Sequence, residues 1–309
     1  MNCGVCRRSI YFIEAPTGTQ ERVVARSKSR TPILLFICSE MASHIHPSAI
    51  IEAGAEIGDD CRIGPYCLIG RNVVLGARNV LHSHVVIGGH TTVSDGNEIH
   101  PFACLGTEPE DKKYRREAVT YTHIGSGNVF REYATVNASS TPGESTVVGS
   151  NGLFLSYSHI AHDCIIGDNV VISCDSKLSG HVKVEDHAII NGKTGVVQFV
   201  RIGSFAFIGG MNKVTKDVLP FCIADGHPSV IRGINKVGLE RNGLEPGRIS
   251  AIRAAYRTLL RQNIPLRDAI AQLKSEFTDQ SDVSNMISFA ATSVLGLARS
   301  RMIGKEVES

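Results

Sequence analysis

The stretch Ile57–Leu75, IGDDCRIGPYCLIGRNVVL, carries an aliphatic residue at every sixth position: Ile57, Ile63, Ile69 and Leu75. Outward from it, the period runs back through Ile51 to Ile45 and forward through Leu81, Ile87, Val93 and Ile99 to Leu105. It resumes at Ile124, Phe130 and Val136, then from Val148 through Phe154, Ile160, Ile166, Ile172, Leu178, Val184, Ile190, Val196, Ile202 and Ile208 to Val214. A helix needs apolar spacings of three and four and a half-buried strand a spacing of two, so neither explains six. Self-similarity at hexapeptide period is the signature of a parallel β-helix. In such a solenoid each hexapeptide is a short strand and a turn, and three of them make a triangular coil of about eighteen residues. A residue then sits under the one eighteen positions later. Branched Ile and Val suit the packed interior of the strands. The glycines of Ile57-Gly58, Ile63-Gly64, Ile69-Gly70, Ile166-Gly167 and Ile202-Gly203 fit corners that need positive φ or close backbone approach.

Two segments interrupt the period. Leu105 and Ile124 are nineteen residues apart, one more than a coil, so residues 107–122 leave the solenoid as a loop. The charges at Glu108, Glu110, Asp111, Lys112, Lys113, Arg115, Arg116 and Glu117 could not line a core. Between Val136 and Val148 the phase is kept but Pro142 falls on the inward slot, which marks a second loop at 138–146. Polar loops on a rigid scaffold are favoured places for binding residues.

These features divide the chain into an extension at 1–40, a solenoid at 42–224 and a helical domain at 225–309. In the last, helical spacing predicts a helix from Pro246 burying Ile249, Ile252, Tyr256, Leu259 and Leu260, with Pro at its opening. A second starts at Pro265 and carries Leu266, Ile270, Leu273 and Phe277. A third, capped by Ser281-Asp282, offers Val283, Met286, Ile287, Ala290, Val294 and Leu297. Together they cap one open end of the solenoid.

At 309 residues the chain can bury a sizeable core, and a formal charge of +2 gives no reason to propose a nucleic-acid partner. The apolar run Thr31–Cys38 is too short for a membrane span. Nine cysteines are scattered without a paired framework, which favours reduced thiols. Residues 1–40 hold Arg7, Arg8, Arg22, Arg26, Lys28 and Arg30 against Glu14, Glu21 and Glu40. An Arg- and Ser-bearing extension of this kind resembles a mitochondrial transit peptide, with chloroplast or cytoplasm as the alternatives.

The densest chemistry is Ser158-His-Ile-Ala-His162-Asp163-Cys164. With Ile160 inward, His159 and His162 flank it near a corner. Eighteen residues on, Gly180 lies over His162 and His181 over Asp163, and a further eighteen bring Gln198 over Gly180, with coils about 4.8 Å apart. A neutral His beside a carboxylate is the arrangement of a general base, since the acid fixes its tautomer and stabilises the imidazolium. Gly180, without a side chain, leaves a backbone N–H for a developing oxyanion. Polar residues also decorate solenoid corners by default, and the same imidazoles suit zinc.

The motif SHIAHDC at 158–164, with Leu178-Ser-Gly-His-Val182 and Gly192-Lys-Thr-Gly-Val-Val-Gln-Phe199, resembles the UDP-N-acetylglucosamine O-acyltransferases of lipid A biosynthesis. The likeness extends through Ser83–Thr91, Asp111–Tyr114, Asn235–Leu239 and Ala251–Tyr256, and so covers about residue 42 to the C-terminal helices. It implies an all-β, left-handed parallel β-helix with a C-terminal α-helical domain, assembled as a homotrimer with sites between subunits and using no metal. It implies transfer of a 3-hydroxyacyl chain from acyl carrier protein, whose phosphopantetheine thioester is the donor and the only carrier required, to the sugar 3-hydroxyl. In that reading His162 is the base, Asp163 orients it and the Gly180 N–H takes the oxyanion. Asp111 and Lys113 contact the sugar and substrates, and His159, His181 and Gln198 line the sugar and pantetheine region. Asn235 and Arg241 meet the nucleotide, where Arg can pair with phosphate. Gly210 stands at the position limiting acyl-chain length, and its open space implies a longer chain.

The chain departs from the family at Val197, where a second His is common, at Asn137, again for His, and at Val237 and Asn242 beside Arg241. These edits touch the substrate shell and leave the catalytic pair intact. Arg253, Arg257 and Arg261 form a positive stripe on the first C-terminal helix that suits an acidic carrier protein. The rival readings are a related hexapeptide N-acyl- or acetyltransferase, and a zinc-binding or structural solenoid like the γ-type carbonic anhydrases.

Overall fold

The computed structural model describes residues 43–262 and 264–299, and the expected transit peptide at 1–40 lies outside them. Three sheets of eleven, nine and eight strands run along the solenoid, parallel except for the last strand of the first, and strands up to Lys213–Val214 fall on successive sheets. Register follows the expected offset of eighteen in most coils, as in Ile45↔Ile63, Leu68↔Val86 and Leu178↔Val196. The sixth-position aliphatics from Ile63 to Val214 are buried, and the largest of them form one continuous core with Phe130 stacked on Phe154. Ile45 departs from that pattern at 41 % exposed, because it belongs to the first coil and no described coil covers that end.

The corners obey a rule the sequence did not display. Positive φ falls on non-glycine residues, among them Tyr66, Tyr133, Asp163, His181 and Phe199, each three positions after an inward apolar residue. The glycines beside those aliphatics serve close approach instead: a Cβ at Gly58 would come within 2.6 Å of the Gly76 carbonyl carbon in the next coil. Left-handed backbone costs a non-glycine residue about 1 kcal/mol or more. Inter-coil hydrogen bonds offset it, as where His181 N–H donates to His162 O at 3.0 Å.

Both interruptions fall at the expected segments, as excursions at 108–120 and 138–144. Leu105 lies in β11 (Cys104–Thr107) of the second sheet and Ile124 in β12 (Tyr121–Ile124) of the third, so they stand on consecutive faces of one coil. Ile99 accordingly pairs with Phe130 and Val93 with Ile124, which leaves a long excursion between β11 and β12. Nineteen residues therefore span one corner, where the sequence suggested a full coil plus one residue. In the second interruption Val136, in β14 (Thr135–Asn137), pairs with Ile160, while Val148 ends β15 (Ser145–Val148) on the next face. A whole hexapeptide is extruded there, with Pro142 in its exposed part, because a ring at the inward slot would break strand pairing. Both loops emerge at the same corner, between the second and third sheets.

The solenoid ends later than residue 224. β27 (Cys222–Asp225) continues the first sheet and turns into antiparallel β28 (Val230–Ile234), so the helices begin at α1 (Lys236–Arg241). α2 (Pro246–Leu260), α3 (Leu266–Glu276) and α4 (Ser281–Ala291) follow and pack on one another. Ser281-Asp282 does not cap α4: Asp282 takes two hydrogen bonds, of 2.7 and 2.8 Å, from Arg248 of α2. α4 also stops before Val294, which is 94 % exposed. Arg253 and Arg257 lie exposed on α2 and Arg261 is exposed at its C-cap, where its Nε donates to Tyr256 Oη at 2.7 Å. Among the described residues no helix is long and apolar enough to cross a membrane.

Candidate active site

The turn between β17 (His159–Ile160) and β18 (Ile165–Ile166) carries His162 and Asp163 at the corner from which both loops emerge. His162 is buried, and its Nδ1 lies 2.7 Å from Asp163 Oδ2. The second loop closes on the acid. Ser139 Oγ donates to Oδ1, and Ser140 donates to Oδ2 through its backbone N–H at 3.2 Å and its Oγ at 2.7 Å. Thr146 Oγ1 accepts the Asp163 N–H at 2.8 Å, which fixes the turn. Burial alone would raise the Asp163 pKa, but donors from Ser139, His162 and Ser140 outweigh it and hold it at about 2. An ionised acceptor on Nδ1 assigns the proton to that nitrogen and leaves Nε2 free as a base.

Gly180 lies against the imidazole: a Cβ there would come within 2.6 Å of His162 Nε2, so this ring position requires glycine. The Gly180 N–H donates to no acceptor among the described residues, as is common at this turn position, and stays available to a ligand. His181 stacks on Phe199 and meets His162 edge-on, its Nε2 3.7 Å from Asp163 Oδ2. Gln198 is exposed in the coil above. His159 donates to or accepts from Thr135 Oγ1 at 2.8 Å, and burial lowers its pKa, with the Glu110 carboxylate opposing.

The remaining sequence-selected residues fall into three groups. Asp111 and Lys113 sit in the first loop, where Asp111 Oδ1 accepts the Lys113 N–H at 2.9 Å, and no hydrogen bond or ion pair joins them to His162. That loop is tied to the corner by Asn137, whose Nδ2 donates to Glu108 O at 3.0 Å and Thr107 Oγ1 at 3.2 Å. The family departure at Asn137 therefore anchors the loop. Asn235 is committed within the chain: it caps α1 through Gly238 N–H and donates to Phe205 O at 3.0 Å, at the corner between the third and first sheets. Arg241 is exposed at the end of α1. Gly210 lies at the corner between the first and second sheets, where a Cβ would meet the Gly192 carbonyl oxygen at 3.4 Å. One chain thus spreads the selected residues over all three corners.

Ser139, Ser140, Thr146 and Thr135 were not legible as site residues. Their only signal was the second loop, expected at 138–146 and found between Asn137 and Ser145. His162, Asp163 and His181 can each bring a ligand atom within 4.8 Å of the others, as the zinc reading requires. A metal there would have to displace the donors already filling both Asp163 oxygens, so the donor set suits proton transfer better.

Comparison with known proteins identifies the family. Residues 217–298 match the family described as Udp N-acetylglucosamine O-acyltransferase, domain 2, and residues 42–71 match the bacterial transferase hexapeptide repeat. The acyl-[acyl-carrier-protein]–UDP-N-acetylglucosamine O-acyltransferase of Verminephrobacter eiseniae is 44% identical over 262 residues, covering 83% of this chain and 100% of its own. The solved UDP-N-acetylglucosamine acyltransferase of Francisella novicida has a TM-score of 0.81 at 34% identity, covering 83% of this chain and 94% of its own. The Arabidopsis enzyme of that name has a TM-score of 0.72 at 33% identity, covering 80% of this chain and 96% of its own. The chain belongs to the acyl-[acyl-carrier-protein]–UDP-N-acetylglucosamine O-acyltransferase family.

Proposed function

We propose that this protein transfers a 3-hydroxyacyl group from acyl carrier protein to the 3-hydroxyl of UDP-N-acetylglucosamine, the first step of lipid A biosynthesis, with His162 as general base. The observation that carries the mechanism is the His162 Nδ1 to Asp163 Oδ2 contact of 2.7 Å, which leaves Nε2 as the proton acceptor. Nε2 takes the hydroxyl proton as the sugar oxygen attacks the thioester carbon. The carbonyl π electrons move to oxygen, and the Gly180 N–H stabilises the oxyanion. As the tetrahedral intermediate collapses, the C–S bond breaks and the imidazolium returns its proton to the departing phosphopantetheine thiolate. Atoms and charge balance without a further cofactor.

The spread of residues over three corners supports a homotrimer. Packing one copy's His162 corner against a neighbour would bring Gly210, Asn235 and Arg241 to the substrates, while Asp111 and Lys113 approach from the first loop. His159, His181 and Gln198 then line the sugar and pantetheine region. Exposed Arg253 and Arg257 suit docking of an acidic carrier protein. Residues 1–40 are read as a mitochondrial address, and imaging a fluorescent fusion of that segment tests it, with diffuse cytosolic signal opposing it.

The activity is tested by mass spectrometry of products from UDP-N-acetylglucosamine with 3-hydroxyacyl carrier proteins of several lengths. Wild type should form a monoacylated product and His162→Ala should not. Full turnover by that variant removes the proposed base.

A further inference from the structure

We propose that His82, Glu98 and His100 form a binding site for a divalent first-row transition ion of zinc's chemical class, remote from the acyltransfer corner. His82 and His100 each follow an inward residue of β7 (Val80–Leu81) and β10 (Glu98–Ile99), neighbours in the first sheet. Their imidazoles stack with centroids 4.6 Å apart, and Glu98 projects from β10 beside them. Glu98 Oε1 lies 2.9 Å from His82 Nε2 and 3.5 Å from His100 Nε2, and one ligand atom from each residue falls within 4.8 Å of the others. Zinc bonds of about 2.0–2.1 Å in a tetrahedral array hold ligand atoms roughly 3.3 Å apart, between those two separations.

A second carboxylate supports the same reading. His100 Nδ1 lies 3.5 Å from Glu132 Oε1. Glu132 is itself held by two hydrogen bonds of 3.1 Å from Arg131 and one of 3.0 Å from Ser156 Oγ. A carboxylate behind the far nitrogen of a histidine fixes the tautomer that turns the other nitrogen toward a metal.

The contrast with His162, Asp163 and His181 is in the donors already present. Both Asp163 oxygens are filled by serine donors and the imidazole, whereas Glu98 accepts from histidine alone and is half-exposed. An entering ion displaces only the proton shared by His82 Nε2 and Glu98 Oε1, and solvent reaches the fourth position. The ion would bridge two successive coils, as a clasp on the solenoid.

The metal-stripped full-length protein is titrated with zinc by calorimetry in buffers of different ionisation enthalpy, with elemental analysis of the dialysed product. One zinc per chain is expected, with proton release and a raised Tm. His100→Ala and Glu98→Gln should abolish stoichiometric binding, and Glu132→Gln should weaken it by about 10–100-fold. Circular dichroism checks that these variants fold, and their acyltransfer rates without zinc should match wild type. His162→Ala should bind as wild type does. Absent or substoichiometric binding by wild type, or binding lost in His162→Ala and kept in His100→Ala, overturns the proposal.

Discussion

Two corners of this solenoid share one backbone and differ in everything else. Tyr157 and Asp163 take nearly the same left-handed conformation, with φ of 63° and 60°, one turn apart in the chain. At the first corner the positions are filled by Tyr66, His84, Phe102, Tyr133 and Tyr157, whose rings stack in a column with centroids 4.8 to 5.0 Å apart. At the second they are Asp163, His181 and Phe199, flanked by two extruded loops. The repeat supplies a strained turn at every corner, and chemistry arises where a glycine and a loop are added to it.

The sharpest way to break this contrast is to truncate one residue at each corner. His162→Ala should lower kcat by about 10³-fold with little change in Tm, since a positioned general base contributes on the order of 10²–10⁴-fold. Tyr157→Ala should leave kcat within about twofold and cost about 1 kcal/mol in denaturant unfolding, the value of an aromatic stack. If both variants lost activity equally, the corners would not be functionally distinct.

Gly180→Ala comes next, because its Cβ meets His162 Nε2 at 2.6 Å and must push the ring aside. Steady-state kinetics should show a fall of about 10²-fold in kcat, for the reason that small misplacements of a reacting group are costly. A rate close to wild type would show that the imidazole has another productive position.

Asp163→Asn tests the acid and its loop through pH. The folded pKa of about 2 lies below the ordinary 3.8, so the carboxylate's stabilisation is present above the unfolded pKa and is lost as pH falls through the folded one. Urea unfolding at pH 7 should find the variant about 2 kcal/mol less stable, with the gap closing between about pH 4 and pH 2. Ser139→Ala with Ser140→Ala should narrow the same window, and a pH-independent gap would assign the loss to packing.

The smallest effect concerns chain length. Gly210→Met should shift donor preference toward shorter acyl chains by several-fold without altering the Km for the sugar nucleotide, and an unchanged length profile would reject that role for the position.

The hexapeptide period was legible because it is a local pattern repeated many times: inward Ile63, Ile69 and Leu75 decide the coil by burial alone. The stacking of Gly180 over His162 and of His181 over Asp163 followed from the same count. The loops were not measurable that way, since Leu105 and Ile124 are consistent in sequence with several routes between them and only strand pairing shows that they stand on adjacent faces. Asn235 shows the opposite limit, for its motif pointed to a ligand while its side chain holds α1 and Phe205 O.

The sequence by itself determined the solenoid, its inward face and the pairing of His162 with Asp163, because burial and adjacency need no distant partner. Tertiary structure decided what reaches them: Ser139 and Ser140 on the acid, Asn137 on the first loop, and Glu132 behind His100. Those contacts join residues from different coils across extruded loops, where the separation in space is set by strand register and not by the period of the chain.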